Sequence, residues 1–363
     1  MASMAEFPMS EDIFSVHVDD MSGDSKAENR AEDNIPEYIR QYLSTGSFTW
    51  KQEKYIKQIP WNDTSCPEIE IENAKKILDD SHFGMKSVKQ QILRYLACQK
   101  HLGTAYGDVL LLVGPPGVGK TSIAKAIATA MNRPFIKIPL AGVNDAGSLR
   151  GYDTNYQDPK PGLIVEGIIK AKTMCPLILL DEIDKLGESV SNGSPQHVLL
   201  HILDSDRTEF VDDMIGIPID ISNIVFVATA NSTKNVSPIL LNRFEIINLN
   251  GYTRSEKIKI ATDYIIPDLV EEYKVENFGL NFTSDLIEYL VDQHAHDFGV
   301  RSLKRSIKML IESIIMIHYT DGDIPTNITI SDYMRVMQID TPKPKAKAPL
   351  RKHSQKSKIE YNY

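Results

Sequence analysis

Cysteine is scarce: Cys66, Cys98 and Cys175 are the three in 363 residues. They are scattered and odd in number. That excludes a disulfide framework and a paired-cysteine zinc ribbon, and it suits a reducing compartment. Long apolar runs are also missing. The longest, such as Val109-Leu110-Leu111-Leu112-Val113, have strand length, far short of the about 20 residues a spanning helix needs. No basic stretch leads into an apolar core at the start, so a secretory signal is not expected, and the acids there lead us to expect no transit peptide. The expected location is cytoplasmic, or nuclear if the basic tail is an import signal.

Excess positive charge is absent as well. The net charge of -9 argues against a dedicated nucleic-acid binder. It averages two opposed ends, however. Residues 1–37 carry Glu6, Glu11, Asp12, Asp19, Asp20, Asp24, Glu28, Glu32, Asp33 and Glu37 against Lys26 and Arg30. The Pro/Lys-rich stretch from Thr341 carries Lys343, Lys345, Lys347, Arg351, Lys352, Lys356 and Lys358 against Glu360. Neither end has apolar periodicity, so both read as disordered.

Between these ends the composition is that of a globular protein, 42% hydrophobic and 25% charged. Strands are expected at Val109–Val113, 135–138, 177–180, 224–228 and 246–249, with helical stretches between them. Alternation of this kind predicts an α/β fold, a parallel five-stranded sheet with helices on both faces. After Gly251-Tyr252 the character changes. Residues 255–267, 283–295 and 300–318 read as amphipathic helices with no strand between them, a small helical second domain. Residues 69–100 also read as helical. The expected organisation is an acidic segment over 1–50, a helical lead over 51–100, an α/β domain over 101–250, a helical domain over 251–340 and a basic tail over 341–363.

The strongest local signal is Gly114-Pro115-Pro116-Gly117-Val118-Gly119-Lys120-Thr121, followed by Ser122. It fits the phosphate-loop pattern of two glycines, a lysine and a hydroxyl residue. Glycines let successive N–H groups turn towards phosphate oxygens, and the following helix offers its positive end to the same anion. Lys120 reaches the β- and γ-phosphates, and Thr121 offers a hydroxyl to Mg2+. A second element is Leu177-Ile178-Leu179-Leu180-Asp181-Glu182, an apolar strand ending in two carboxylates. Ligands bind at such C-terminal strand ends in open α/β sheets. Asp181 would orient Mg2+ and Glu182 would polarise the attacking water. Asn231 ends the fourth strand, where an asparagine is either a turn residue or a holder of that water. Arg243 precedes the fifth strand, and Arg301 opens a helix after Gly299-Val300. From the residues alone both arginines read as solvated surface groups. His294 and His296 fall on the 283–295 stretch and its end and point to different faces, with no further ligand to join them. Cys175 reads as packed, and Trp61 as an anchor.

In this order the motifs resemble an AAA+ ATPase, and more narrowly the ATPase module of Lon proteases. The resemblance runs from about residue 55 to about residue 338. It is carried by Ile59-Pro60-Trp61, Asp80-Ser81-His82-Phe83-Gly84-Met85 and residues 114–124, 176–185, 210–222, 240–251 and 299–303. It implies Mg2+ and ATP as cofactors. Lys120 and Thr121 then resemble the Walker A pair, Asp181 and Glu182 the Walker B pair, and Asn231 the first sensor. Arg243 resembles an arginine finger acting in a neighbouring subunit, and Arg301 the second sensor. His82, Phe83 and Met85 match the adenine-pocket segment. A finger donated in trans implies a homo-oligomer, a hexameric ring or spiral. Tyr156 matches the aromatic that grips a translocating protein chain, although Gln157 stands where an aliphatic residue is usual. A serine in a Pro-Ser-Ala-Gly-like context, as in the Lon Ser–Lys pair, does not occur. The expected activity is therefore ATP-driven protein remodelling without intrinsic proteolysis, with a separate peptidase or adaptor as a conceivable partner. The alternatives are a motor on nucleic acid, reached through the basic tail, and an ATP-binding scaffold.

Overall fold

The structure is a computed structural model. It describes residues 35–46, 48–103, 109–187, 193–204, 207–320 and 326–337. Most of the acidic segment and all of the basic tail from Thr341 lie outside these residues. The chain divides into two compact units. Of the described residues, one comprises those up to Ile77, those of 90–112 and those of 124–247; the other comprises those of 78–89, 113–123 and 248–337.

The first unit is built on β1 (Val109–Val113), β2 (Phe135–Pro139), β3 (Leu177–Asp181), β4 (Phe210–Val211), β5 (Pro218–Ile219), β6 (Val225–Ala230) and β7 (Phe244–Asn248). Five of these form a sheet in the order β2-β3-β6-β1-β7. It is parallel, with Leu177 opposite Val225 and Phe135 opposite Leu177. β1, β3 and β6 are apolar without alternation because they are covered on both faces, as parallel strands are; all six residues of β6 are buried. Each large aliphatic side chain so buried contributes roughly 1.5–3 kcal/mol. β4 and β5 pair as a separate antiparallel ribbon.

The strand expectations hold in existence and order. β7 starts two residues early, at Phe244, and β6 runs on to Ala230. The helical reading of 69–100 resolves into Ile71–Ser81 and Lys86–Leu102. Between them Gly84 and Met85 take left-handed backbone angles, φ 67° and 50°, which no helix accommodates. Trp61 is buried and its indole Nε1 donates to the Ile56 carbonyl at 2.8 Å.

The cysteine reading needs correction. Cys66 and Cys175 form a disulfide with Cα atoms 5.6 Å apart, while Cys98 is free and exposed. The partners are separated by 109 residues, and only the packing of the 61–69 segment beside the start of β3 brings them together.

The second unit is mainly helical. Its core joins Leu286, Leu290, Leu303, Ile307, Leu310, Ile311 and Ile314, recurring at helical spacing along Ser284–Gln293 and Arg301–Thr320. Thr253 and Glu256 form a reciprocal cap that starts Arg254–Ile260. The helix then widens to a π turn over Ala261–Ile265. Pro267 follows and has no N–H to continue the ladder. Two expectations fail here. β8 (Asn281–Phe282) and β9 (Asn327–Ile328) form a two-stranded parallel sheet where no strand was expected. The helix at 283–295 ends at Gln293, so His294 and His296 lie in the turn after it, with His294 Nε2 2.8 Å from Ser306 Oγ.

Candidate functional site

Three strand ends line up along one edge of the sheet. β1 leads into the Gly114–Thr121 segment, β6 ends before Asn231, and β3 ends at Asp181, with β6 between β3 and β1.

In the second unit the glycine loop leaves β1 and turns into the helix Lys120–Ala130. Gly117 and Gly119 have φ of 80° and 96°, a region closed to most side chains. Lys120 is only 9% exposed, and its ammonium donates to the Gly114 carbonyl at 2.6 Å and the Pro115 carbonyl at 3.0 Å. The loop therefore curls around the cation. Gly299-Val300-Arg301 packs on its outside. The Val300 N–H donates to the Gly117 carbonyl at 3.0 Å, and a Cβ on Gly117 would come within 2.9 Å of Arg301 Cβ. Tyr252 adds a hydroxyl bond to the Val118 carbonyl at 3.0 Å. Arg301, for which the family resemblance implies a second sensor, thus starts its helix beside the loop.

His82 lies against the same loop. Its Nε2 is 2.8 Å from Ser122 Oγ and its Nδ1 2.9 Å from Ser81 Oγ. Burial, with help from the Lys89 ammonium, pushes its pKa down to about 4, so the ring is neutral at pH 7. Phe83 packs on the helical core, with the Lys259 ammonium 5.4 Å from its ring centroid. Met85 holds the left-handed turn that separates this segment from the next helix.

In the first unit, Asp181 is held by two neighbours that sequence reasoning did not single out. Thr229 Oγ1 donates to its Oδ1 at 2.6 Å, and the Lys137 ammonium lies 2.7 Å from its Oδ2. Glu182 follows in a left-handed conformation, φ 59° and ψ 52°, and its N–H donates to Thr229 Oγ1 at 2.9 Å. A polar residue inside an otherwise apolar strand was the available signal for Lys137 and for Thr229; the partners depend on cross-strand register. Arg243 is partly exposed and makes a two-pronged pair with Asp204, at 3.1 and 3.3 Å.

Tyr156 is 56% exposed on the loop after Gly151, with its ring edge-on to Tyr152 at 5.3 Å. Asp212 braces the base of this loop. Its carboxylate accepts from Gly162 N at 2.7 Å and from Met214 N and Ile215 N at 2.9 and 3.1 Å. Burial raises its pKa to about 6 in spite of these bonds.

Residues 110–252 match the family described as ATPase family associated with various cellular activities (AAA). That stretch carries the P-loop α/β fold of this family. More narrowly, the chain is similar to part of the Lon proteases. It is 41% identical to the mitochondrial Lon protease homolog of Schizosaccharomyces pombe over 70% of this chain and 24% of that protein. Lon protease of Finegoldia magna is 42% identical over 72% of this chain and 34% of that protein. For Lon protease of Methanosphaera stadtmanae the values are 40%, 78% and 33%. The chain thus spans a quarter to a third of the length of these relatives. A solved structure of a Thermotoga maritima RuvB mutant is a looser likeness, with TM-score 0.49 and 18% identity over 72% of this chain and 71% of that one. No described helix is long and apolar enough to cross a membrane.

Proposed function

We propose that the chain hydrolyses Mg-ATP to remodel or thread protein substrates. The glycine loop carries this reading. It has two glycines in the left-handed region, a lysine whose ammonium is buried inside it, and a helix that begins at that lysine. Such a cradle fits a polyphosphate, because its N–H groups and the helix end are both electropositive. Lys120 holds the β- and γ-phosphates in exchange for its carbonyl partners. Thr121 and Asp181 are the residues for Mg2+, which neutralises charge on the phosphate oxygens when bound. Glu182 takes the proton of the attacking water as general base, and Asn231 holds that water. Arg301 contacts phosphate in its own copy, and Arg243 completes the site of a neighbouring copy. The neutral ring of His82 suits contact with an uncharged base, and Phe83 and Met85 line the same adenine pocket.

A finger that works in trans requires a ring or spiral, which we read as hexameric. Tyr156 then grips the moving polypeptide. The 363 residues hold no serine in a Pro-Ser-Ala-Gly-like context, so the activity proposed is ATP hydrolysis without intrinsic proteolysis. Steady-state hydrolysis measured alone, with an unfolded protein and with duplex DNA tests the reading. Stimulation by unfolded protein supports it. Stimulation by DNA alone moves the function to nucleic acid and to the cations after Thr341. A chain that binds ATP and never turns it over is a scaffold.

A further inference from the structure

Thr229 is fully buried in β6, two residues before Asn231. In the β3–β6 register Leu180 lies opposite Ala228, so the next pair along is Asp181 and Thr229. The Thr229 hydroxyl serves both carboxylate residues at once. The backbone N–H of Glu182 can only donate, so Oγ1 accepts there, at 2.9 Å. The hydroxyl proton is then committed to Asp181 Oδ1, at 2.6 Å. One proton and two lone pairs satisfy both bonds with no change of rotamer.

The second bond matters because of the backbone it meets. Glu182 stands at φ 59° and ψ 52°, a left-handed conformation disfavoured for any residue with a Cβ. Directly after a buried strand, this turn decides where the Glu182 carboxylate is aimed. Strained positions persist when their surroundings over-determine them, and they cluster at functional sites. The first bond fixes one oxygen of Asp181 while Lys137 meets the other at 2.7 Å, so the rotamer of that carboxylate is held from both sides. A neighbour that orients a metal-binding carboxylate has a measurable effect although it never touches the metal.

We propose that Thr229 is a positioning residue for hydrolysis: its single hydroxyl fixes the rotamer of Asp181 and holds Glu182 in its left-handed turn. This rests on the reading of Asp181 and Glu182 given above.

The test compares Thr229→Val, Thr229→Ser and Thr229→Ala with wild type and Glu182→Gln. Each is the full chain, and folding is checked by melting temperature. Thr229→Val and Thr229→Ala are expected to lower kcat about 10- to 100-fold and to raise the Mg2+ concentration for half-maximal rate. Affinity for ATPγS should stay within about threefold, and Thr229→Ser should keep kcat within about threefold of wild type. A merely structural threonine would not separate kcat from nucleotide affinity. Wild-type turnover by Thr229→Val overturns the proposal, as does an equal loss in Thr229→Ser and Thr229→Ala. Should Thr229→Val not fold, the Ser–Ala pair, which differs by one oxygen, decides by itself. Undiminished turnover by Glu182→Gln would instead refute the catalytic reading, and the role of Thr229 falls with it.

Discussion

Replacing Gly299 by alanine probes how the start of the Arg301–Thr320 helix packs on the glycine loop of the same unit. Gly299 does not have a left-handed backbone, so the effect of alanine there is dominated by contact. The new Cβ would fall inside van der Waals distance of the Gly117 carbonyl and only 2.7 Å from the Pro116 carbonyl oxygen. An ordinary carbon–oxygen approach is about 3.4 Å. At the Pro116 oxygen the loop or the start of Arg301–Thr320 must therefore yield by about 0.7 Å, and by more at the Gly117 carbonyl, and the atoms in the way are backbone, which cannot rotate aside. Overpacking of this kind costs about 1–3 kcal/mol. If that loop has to be preformed for phosphate, as proposed above, the strain appears as weaker nucleotide binding, roughly 5- to 140-fold at about 1.4 kcal/mol per tenfold. Titration with a fluorescent ATP analogue measures this. Gly279→Ala is the control, since it also loses a glycine of the same unit but meets nothing within 4 Å. Its left-handed backbone, φ 60°, should lower stability by about 1 kcal/mol and leave nucleotide affinity alone. Wild-type affinity in Gly299→Ala would refute the idea that this contact shapes the loop.

Other consequences follow from the same geometry. Arg243→Ala should keep nucleotide binding and lose turnover; its pair with Asp204 is two-fifths exposed on both sides and contributes about 0–1 kcal/mol, so the denaturation midpoint should hardly move. Tyr156→Ala should leave basal hydrolysis unchanged and remove stimulation by unfolded protein, read as the ratio of the two rates. The pH dependence of stability has a definite sign at His82. Its folded pKa of about 4 lies below the ordinary 6.5, so on acidification the unfolded chain takes up the proton first. Stability is lost from about pH 6.5 down to pH 4. Asp212, raised to about 6, works in the opposite direction between about pH 6 and 4. His82→Gln should flatten the fall in melting temperature between pH 7.5 and pH 5; an unchanged slope would show that His82 does not titrate as its surroundings dictate.

The parts legible in the sequence are those written in contiguous residues. The apolar run at Val109–Val113, the glycines after it and the alanine-rich helix behind Lys120 carry their own periodicity and turn chemistry. So does β3 with its terminal carboxylates. β8 and β9 were not legible because two-residue strands have no period to read, and they pair across about 45 residues of helix and turn. The partners of Asp181 and Arg243 were hidden for a related reason. Lys137, Thr229 and Asp204 meet their targets through sheet register and helix ends. The Cys66–Cys175 link likewise depends on tertiary packing. The helix break at Gly84-Met85 was hidden inside an amphipathic pattern that continues on both sides.

The most direct measurement is ATP hydrolysis by the 363-residue chain and by Glu182→Gln, with nucleotide binding followed in parallel. If Glu182 is the general base of a phosphate-loop ATPase, the wild type turns over ATP in the presence of Mg2+. The variant then binds ATP with similar affinity and loses at least about 100-fold in rate. Equal rates in the two proteins, or tight binding with no turnover in either, would contradict it.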